Sequence, residues 1–144
     1  MALVTRNHPK LTLEGARAVL AAAEQCAEAI RVPMNIAVVD DGGHLLAFSR
    51  MDGAKPSSIA VSLVKARAAA MRRAATGPAM AGDQVNVALS LGLAAAAGKH
   101  QTPIRGGIPL VVEGQVVGAI GVSAGNEDQD STVARAGVAA LEKA

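Results

Sequence analysis

Aromatic residues are almost absent from this sequence: Phe48 is the only one among 144 residues, and Trp and Tyr do not occur. Hydrophobic residues still make up 51% of the chain, and most of them are Ala and Val. Because such small side chains give one subunit few large groups for a deep core, we expect burial to continue between copies in a homo-oligomer. The length predicts one domain over residues 1–144.

Charge and cysteine content exclude several classes of protein. The 14 basic and 12 acidic residues give a net charge of +2, which is too weak to indicate a nucleic-acid partner. The single cysteine, Cys26, cannot form an internal disulfide. The first residues lack the apolar stretch of a signal peptide, and no apolar run has the length of a membrane span. We therefore expect a cytoplasmic protein with no membrane partner.

A hairpin-like phrase occurs twice, at residues 37–48 and 110–120. Each copy is an apolar run, a turn of acidic residues and Gly, and a second apolar run. Because Gly, Asn and Asp adopt a positive φ at low cost, this pattern is typical of a β-hairpin. The first pair of strands is predicted at residues 34–40 and 44–50, and the second hairpin is predicted to end at Ser123.

Helical patterns flank the two hairpins. Apolar residues at three- and four-residue spacing predict a helix that Thr12 caps and Pro33 closes. A second helix is predicted from a Ser57 or Ser58 cap to residue 75, a short one between residues 80 and 98, and a last one over residues 131–143. The order α-ββ-α-(α)-ββ-α indicates an α/β fold of the α+β type, with a mostly antiparallel central sheet and helices on its faces.

The turn after the first hairpin carries the most prominent polar cluster, Arg50, Asp52 and Gly53. An arginine binds a carboxylate through two parallel hydrogen bonds, an aspartate can act as a base, and a glycine permits close approach of the backbone. The alternative is an ion pair between Arg50 and Asp52 or Asp40 that only stabilises the turn. Loops after strands are common places for binding sites.

A second loop is expected to meet this turn. There Arg105 and Lys65 would contact an anion, the backbone amides of Gly106 and Gly107 would suit an oxyanion, and His100 would line the pocket. The glycine pair has an alternative role, which is to let neighbouring segments pack closely. The predicted binding residues for a small anionic ligand are Arg50, Asp52, Gly53, His100, Arg105, Gly106 and Gly107. In an enzyme, Asp52 would be the acid or base, and Arg50 and Lys65 would hold the substrate.

A set of phrases in a fixed order carries a family resemblance. They are Leu11-Thr12-Leu13-Glu14, Val38-Val39-Asp40-Asp41-Gly42-Gly43, Arg50-Met51-Asp52-Gly53-Ala54, Lys65-Ala66, Gly106-Gly107-Ile108-Pro109, Val117-Gly118-Ala119-Ile120-Gly121-Val122-Ser123 and Gln129-Asp130. Together they resemble the GlcG/HbpS-like haem-binding family, which includes the carboxy-terminal domain of the PduO corrinoid adenosyltransferases. The resemblance implies a profilin-like arrangement and assembly into oligomers such as octamers.

The resemblance also makes haem a candidate cofactor. His8 corresponds in position to an amino-terminal histidine that is thought to ligate haem in some relatives; the alternative is an ordinary surface histidine. A porphyrin needs an axial ligand and a large apolar lining, so the shortage of aromatic residues favours a small polar ligand instead.

Three hypotheses about function follow. The first is a small-ligand-binding protein, with haem or another tetrapyrrole as a candidate ligand. The second is an enzyme of the isomerase, lyase or hydrolase type that acts on a small anionic or carbonyl metabolite in a catabolic pathway. The third is a purely structural component of an oligomer.

Overall fold

The computed structural model describes residues 1–143 and contains the two hairpins that the sequence predicts. The elements in chain order are α1 (Leu13–Ala29), β1 (Asn35–Asp40), β2 (Leu45–Arg50), α2 (Ser58–Arg72), β3 (Met80–Ala81), β4 (Gln84–Val85), α3 (Val87–Ala97), a 3₁₀ turn (Gly98–His100), β5 (Gly107–Val112), β6 (Gln115–Ser123) and α4 (Glu127–Glu142).

The two hairpins join through their inner strands into a four-stranded antiparallel sheet with the order β2-β1-β6-β5. Strands β1 and β6 pair from Asn35 opposite Ser123 to Asp40 opposite Gly118. The β1–β2 and β5–β6 turns therefore lie at one end of the sheet, which we call the hairpin end. The opposite end, where β2 and β6 finish and β5 begins, is the open end. The predicted α+β fold with an antiparallel sheet is confirmed.

Alternation along the strands sends side chains to two helical layers. Ile36 and Val38 face α1 and α4, where they pack in a core that includes Val19 and Val133. The intervening residues of β1 face α2. Successive side chains of a strand point to opposite faces, so one six-residue strand serves both layers.

The layer between the sheet and α2 is thin. Its buried side chains are small, with Ala37 of β1 packed against Ala66 and Ala69 of α2. A Cβ atom on Gly121 would overlap the backbone carbonyl oxygen of Ser62. The close approach of α2 therefore requires glycine at this position of β6.

Both hairpin turns use the expected residues. In the first, Asp40 Oδ1 accepts the backbone N–H groups of Gly42 and His44, each at 2.9 Å. In the second, Glu113 and Gly114 both have positive φ, at 51° and 74°. Two consecutive residues of positive φ are the requirement of the tight turn that matches the twist of a hairpin.

Two helix boundaries differ from the prediction. Helix α4 begins at Glu127, four residues before residue 131, because Asn126 and Gln129 form reciprocal capping hydrogen bonds of 2.8 and 3.0 Å. The expectation that a serine caps α2 is wrong, because Ser57 has helical dihedral angles and makes no side-chain capping bond there.

Residues 80–97 form an arm that consists of the short β3–β4 hairpin and helix α3. Ser90 connects the two parts, because its hydroxyl accepts the Ala79 N–H at 2.9 Å and donates to the Asn86 carbonyl at 2.7 Å. The large side chains of α3 are 42 to 61% exposed; they are Val87, Leu89, Leu91 and Leu93. Within residues 1–143, no helix is both long enough and apolar enough to cross a bilayer.

Candidate functional site

The structure places the predicted anion-binding residues on opposite edges of the sheet. Arg50 ends β2 and Arg105 precedes β5, and these two strands are the edge strands. Both residues lie at the open end, but β1 and β6 separate them. Three strand spacings correspond to about 14 Å. The two arginines therefore do not form one small pocket in the subunit.

The surroundings of Arg50 are acidic. Arg50 and Asp52 line an open cleft of about 440 Å³ together with Glu24 and Glu28 of α1. An anionic ligand in this cleft would meet three carboxylates for one guanidinium. Gly53 beside it has a φ of 88°, which explains why this turn contains glycine.

Lys65 is buried rather than exposed to a ligand. Its ammonium donates to Asp130 Oδ2 and to the Val122 carbonyl oxygen, each at 2.8 Å, and its side chain is only 1% exposed. The second oxygen of Asp130 accepts the Gly125 N–H at 3.0 Å. Lys65 thus has a structural contact where the sequence analysis suggests a substrate contact.

Gly106 and Gly107 make room for this ion pair. A Cβ on Gly106 would lie 2.9 Å from the Lys65 ammonium, and one on Gly107 would overlap the Lys65 carbonyl oxygen. The Gly107 N–H donates to Thr76 Oγ1 at 2.9 Å, so this amide is not free for an oxyanion. Next to the pair, the Arg105 guanidinium lies 3.4 Å from Glu127 on the surface.

His100 lies elsewhere, at the base of the arm. It lines an open cleft of about 530 Å³ with apolar side chains of α2 and α3, among them Met71 and Leu93. Arg72 also lines this cleft. The structure therefore brings His100 together with neither Arg50 nor Gly107.

The cavity that gathers basic side chains lies at the hairpin end, with a volume of about 510 Å³. Its walls come from the amino-terminal segment, the end of α2 and the β5–β6 hairpin. The lining residues are Thr5, Arg6, His8, Arg73, Val111, Gly114, Gln115 and Val116. Among the described residues, no carboxylate lines it. We call this space the hairpin-end cavity.

Asp41, in the β1–β2 turn, connects the walls of this cavity. Its carboxylate accepts two hydrogen bonds from the Lys10 ammonium, at 3.0 and 3.1 Å, and lies 3.4 Å from His8 Nε2. Its backbone carbonyl accepts a hydrogen bond of 3.0 Å from the Arg73 guanidinium. The hydrogen bond from Lys10 lowers the pKa of Asp41, against the opposing effect of partial burial.

The contact with Asp41 helps to position the His8 ring. Its Nε2 atom lies 3.4 Å from Asp41 Oδ2, and Nδ1 is the other ring nitrogen. A histidine can ligate a metal through one ring nitrogen, and a carboxylate on its far nitrogen is the usual arrangement behind such a ligand.

Of the residues around this cavity, His8 was predicted as a candidate from the sequence, whereas Arg6 and Asp41 were not. The alternation of Arg6, His8 and Lys10 was the available signal, because alternate residues of an extended segment share a side. Arg73 belongs to a basic stretch, residues 53–82, for which the sequence left open a solvated helix end or a patch for an anionic ligand or a partner. Its place in the cavity depends on the packing of α2 against the sheet, which the local sequence does not show.

The fold places this chain in the α+β class, with one antiparallel sheet between two helical layers. The model of the family described as "Haem degrading protein HbpS-like" matches residues 11–139, and the chain belongs to that family. A similar relative is Protein GlcG of Escherichia coli strain K12. It is 41% identical over 113 residues, which cover 78% of this chain and 81% of GlcG.

Two solved structures show the same fold. The Klebsiella pneumoniae protein ORFY is 30% identical, with a TM-score of 0.86 over 100% of this chain and 99% of that one. HbpS is 32% identical, with a TM-score of 0.77 over 94% of this chain and 92% of HbpS. The family resemblance predicted from the sequence is confirmed.

Proposed function

We propose that this protein binds haem or another tetrapyrrole in the hairpin-end cavity, with His8 as the ligand of the iron. The observation that carries the proposal is the position of His8, which lines the cavity while its Nε2 atom faces Asp41. The family description, which names haem degradation, supports the same class of ligand.

Two features of the cavity suit a porphyrin, although its apolar lining is small and contains no aromatic side chain among the described residues. His8 would offer an axial nitrogen, and Val111 and Val116 would offer an apolar surface for the ring. Haem, when bound, would supply an iron centre for oxygen or electron-transfer chemistry. The chain's contribution would be to bind and orient the group, with Asp41 Oδ2 at 3.4 Å from His8 Nε2 on the far side of the ring.

A hemin titration monitored by the Soret band tests this proposal. We expect the wild type and His100→Ala to give the same spectral change, because His100 lines a different cleft. His8→Ala should lose the change or require a much higher hemin concentration. An unaltered titration of His8→Ala, with native circular dichroism, would show that His8 is not the ligand.

The alternative, an enzyme that uses Arg50 and Asp52 on a small anionic or carbonyl metabolite, has weaker support. The cleft around these residues contains Glu24 and Glu28, so its charge opposes an anionic substrate. The role of Arg50 stays a prediction, which the variant Arg50→Ala tests.

We also propose that copies of this chain associate through helix α3. Six of the 15 exposed large hydrophobic side chains lie between residues 80 and 93. A helix that is apolar on all sides is normally buried. An eleven-residue helix is only about 16 Å long, too short for a bilayer core of about 30 Å.

The second copy is the partner that best matches this helix. From Gln84 to Gly98 the chain has no charged residue, so two such arms can pack together without burying an unpaired charge. The cytoplasmic location predicted from the sequence also stays a proposal, based on the single cysteine.

A further inference from the structure

Two arginines line the hairpin-end cavity from different parts of the chain. Arg6 belongs to the amino-terminal segment, and Arg73 follows the last residue of α2. A guanidinium is planar and binds a carboxylate through two parallel hydrogen bonds, which a lysine cannot do. Two such groups in a cavity of about 510 Å³ make a site for carboxylates.

The backbone at Arg73 is unusual. It has left-handed dihedral angles, φ 57° and ψ 31°, at a position after a helix where glycine is the common residue. The left-handed conformation is unfavourable for a residue with a side chain. It places the guanidinium where one nitrogen donates to the Asp41 carbonyl at 3.0 Å. A guanidinium has five N–H donors, so others are left for a ligand.

Neither Arg6 nor Arg73 forms a salt bridge with a carboxylate of the described residues. Asp41 is engaged by Lys10 through two hydrogen bonds, at 3.0 and 3.1 Å, and by His8. The Lys10 ammonium therefore balances this carboxylate. Arg6 and Arg73 remain as the unbalanced cations of the described cavity wall, and an anionic group would be attracted to them.

We propose that Arg6 and Arg73 form a carboxylate-binding site that selects ligands with acidic side groups for the hairpin-end cavity. The inference rests on the proposed function as far as a tetrapyrrole is concerned, since its propionate groups are such carboxylates. A free dicarboxylate would present the same chemistry. In both cases Val111 and Val116 would contact the apolar part of the ligand.

An iron-free probe separates this site from His8. Protoporphyrin IX and its dimethyl ester share the same ring, but only the first has free carboxylates. We expect the wild type to bind the diacid about tenfold or more tightly than the diester, the effect of losing a charged hydrogen bond. Arg73→Gln and Arg6→Gln should each reduce this preference.

Arg72→Gln is the matched control. Arg72 is the neighbour of Arg73 and carries the same charge, but it lines the cleft of His100 instead. This variant should keep the full preference for the diacid. Arg6→Gln is a second test that does not depend on the folding of Arg73→Gln, because Arg6 lies in the amino-terminal segment outside the helices and strands.

The outcomes separate this inference from the proposed function. Equal binding of diacid and diester by the wild type, or a preference that both arginine variants retain, would overturn the carboxylate site. If instead His8→Ala leaves the hemin titration unchanged while Arg73→Gln abolishes the preference, the site stands and iron ligation by His8 fails. Succinate that stabilises the wild type but not Arg73→Gln would identify a free dicarboxylate as the source.

Discussion

The ammonium of Lys65 on α2 and the carboxylate of Asp130 on α4 lie 2.8 Å apart and join the two helical layers of the fold. Their side chains are 1% and 4% exposed. The partners are 65 residues apart in the sequence. Gly106 and Gly107, at the start of β5, leave the space in which they meet. This pair is therefore part of the architecture.

Removing one partner of this pair should destabilise the protein strongly. We expect Lys65→Met or Asp130→Asn to lower the free energy of unfolding by about 3–5 kcal/mol, because a buried group is left without its partner. The double variant Lys65→Met, Asp130→Asn should cost less than the sum of the single changes. Urea unfolding of the four proteins measures this coupling, and additive losses would contradict a direct interaction.

Asp41 should stabilise the protein in a pH-dependent way. Because its pKa is lowered from 3.8 in the folded protein, its contribution is complete above pH 3.8 and is lost as the pH falls through the folded value. For a partly exposed pair we expect about 0.2–1 kcal/mol. The difference in unfolding free energy between wild type and Asp41→Asn should thus be present at pH 7 and vanish in acid. Asp83→Asn, in the exposed β3–β4 turn, is the control and should show no such trend.

Arg50 and Arg73 belong to two alternative candidate sites for an anionic ligand. In a thermal-shift screen of carboxylates, we expect the hits to stabilise wild type and Arg50→Ala equally, because three carboxylates share the cleft of Arg50. The same hits should lose their effect on Arg73→Gln. Loss of stabilisation in Arg50→Ala alone would instead favour the site predicted from the sequence.

Helix α3 should control the oligomeric state. Leu91, which is 61% exposed, is replaced by Glu to bring a charge into the proposed contact. Light scattering should show an oligomer for the wild type and a smaller species for Leu91→Glu, with Leu3→Glu in the amino-terminal segment as the matched control. A wild type that is only a 14.4 kDa species at micromolar concentration would exclude the association.

One domain should unfold in one step. We expect a single thermal transition, with the same midpoint temperature by circular dichroism and by calorimetry. Intrinsic fluorescence is not useful here, because the chain has no Trp or Tyr. Two separated transitions at fixed protein concentration would contradict the single domain predicted for residues 1–144.

Local features of the fold were accessible from the sequence because the residues concerned act on their neighbours. Thr12 caps α1 by accepting the Gly15 N–H at 3.0 Å, as the pattern predicts. The acidic-glycine turns produce both hairpins, since few other residues adopt positive φ. The start of α4 was misplaced because the capping role of Asn126 and Gln129 was not recognised in the sequence.

The sequence by itself determined the family, the two hairpins and the helices that flank them, because turns, caps and periodicity act over a few residues. Only the tertiary structure decided which polar residues share a site. It places Arg50 and Arg105 at opposite edges of the sheet, and it gathers Arg6, His8 and Arg73 around one cavity. Such meetings depend on strand order and on the direction of α2 across the sheet, and these follow from packing over the whole chain.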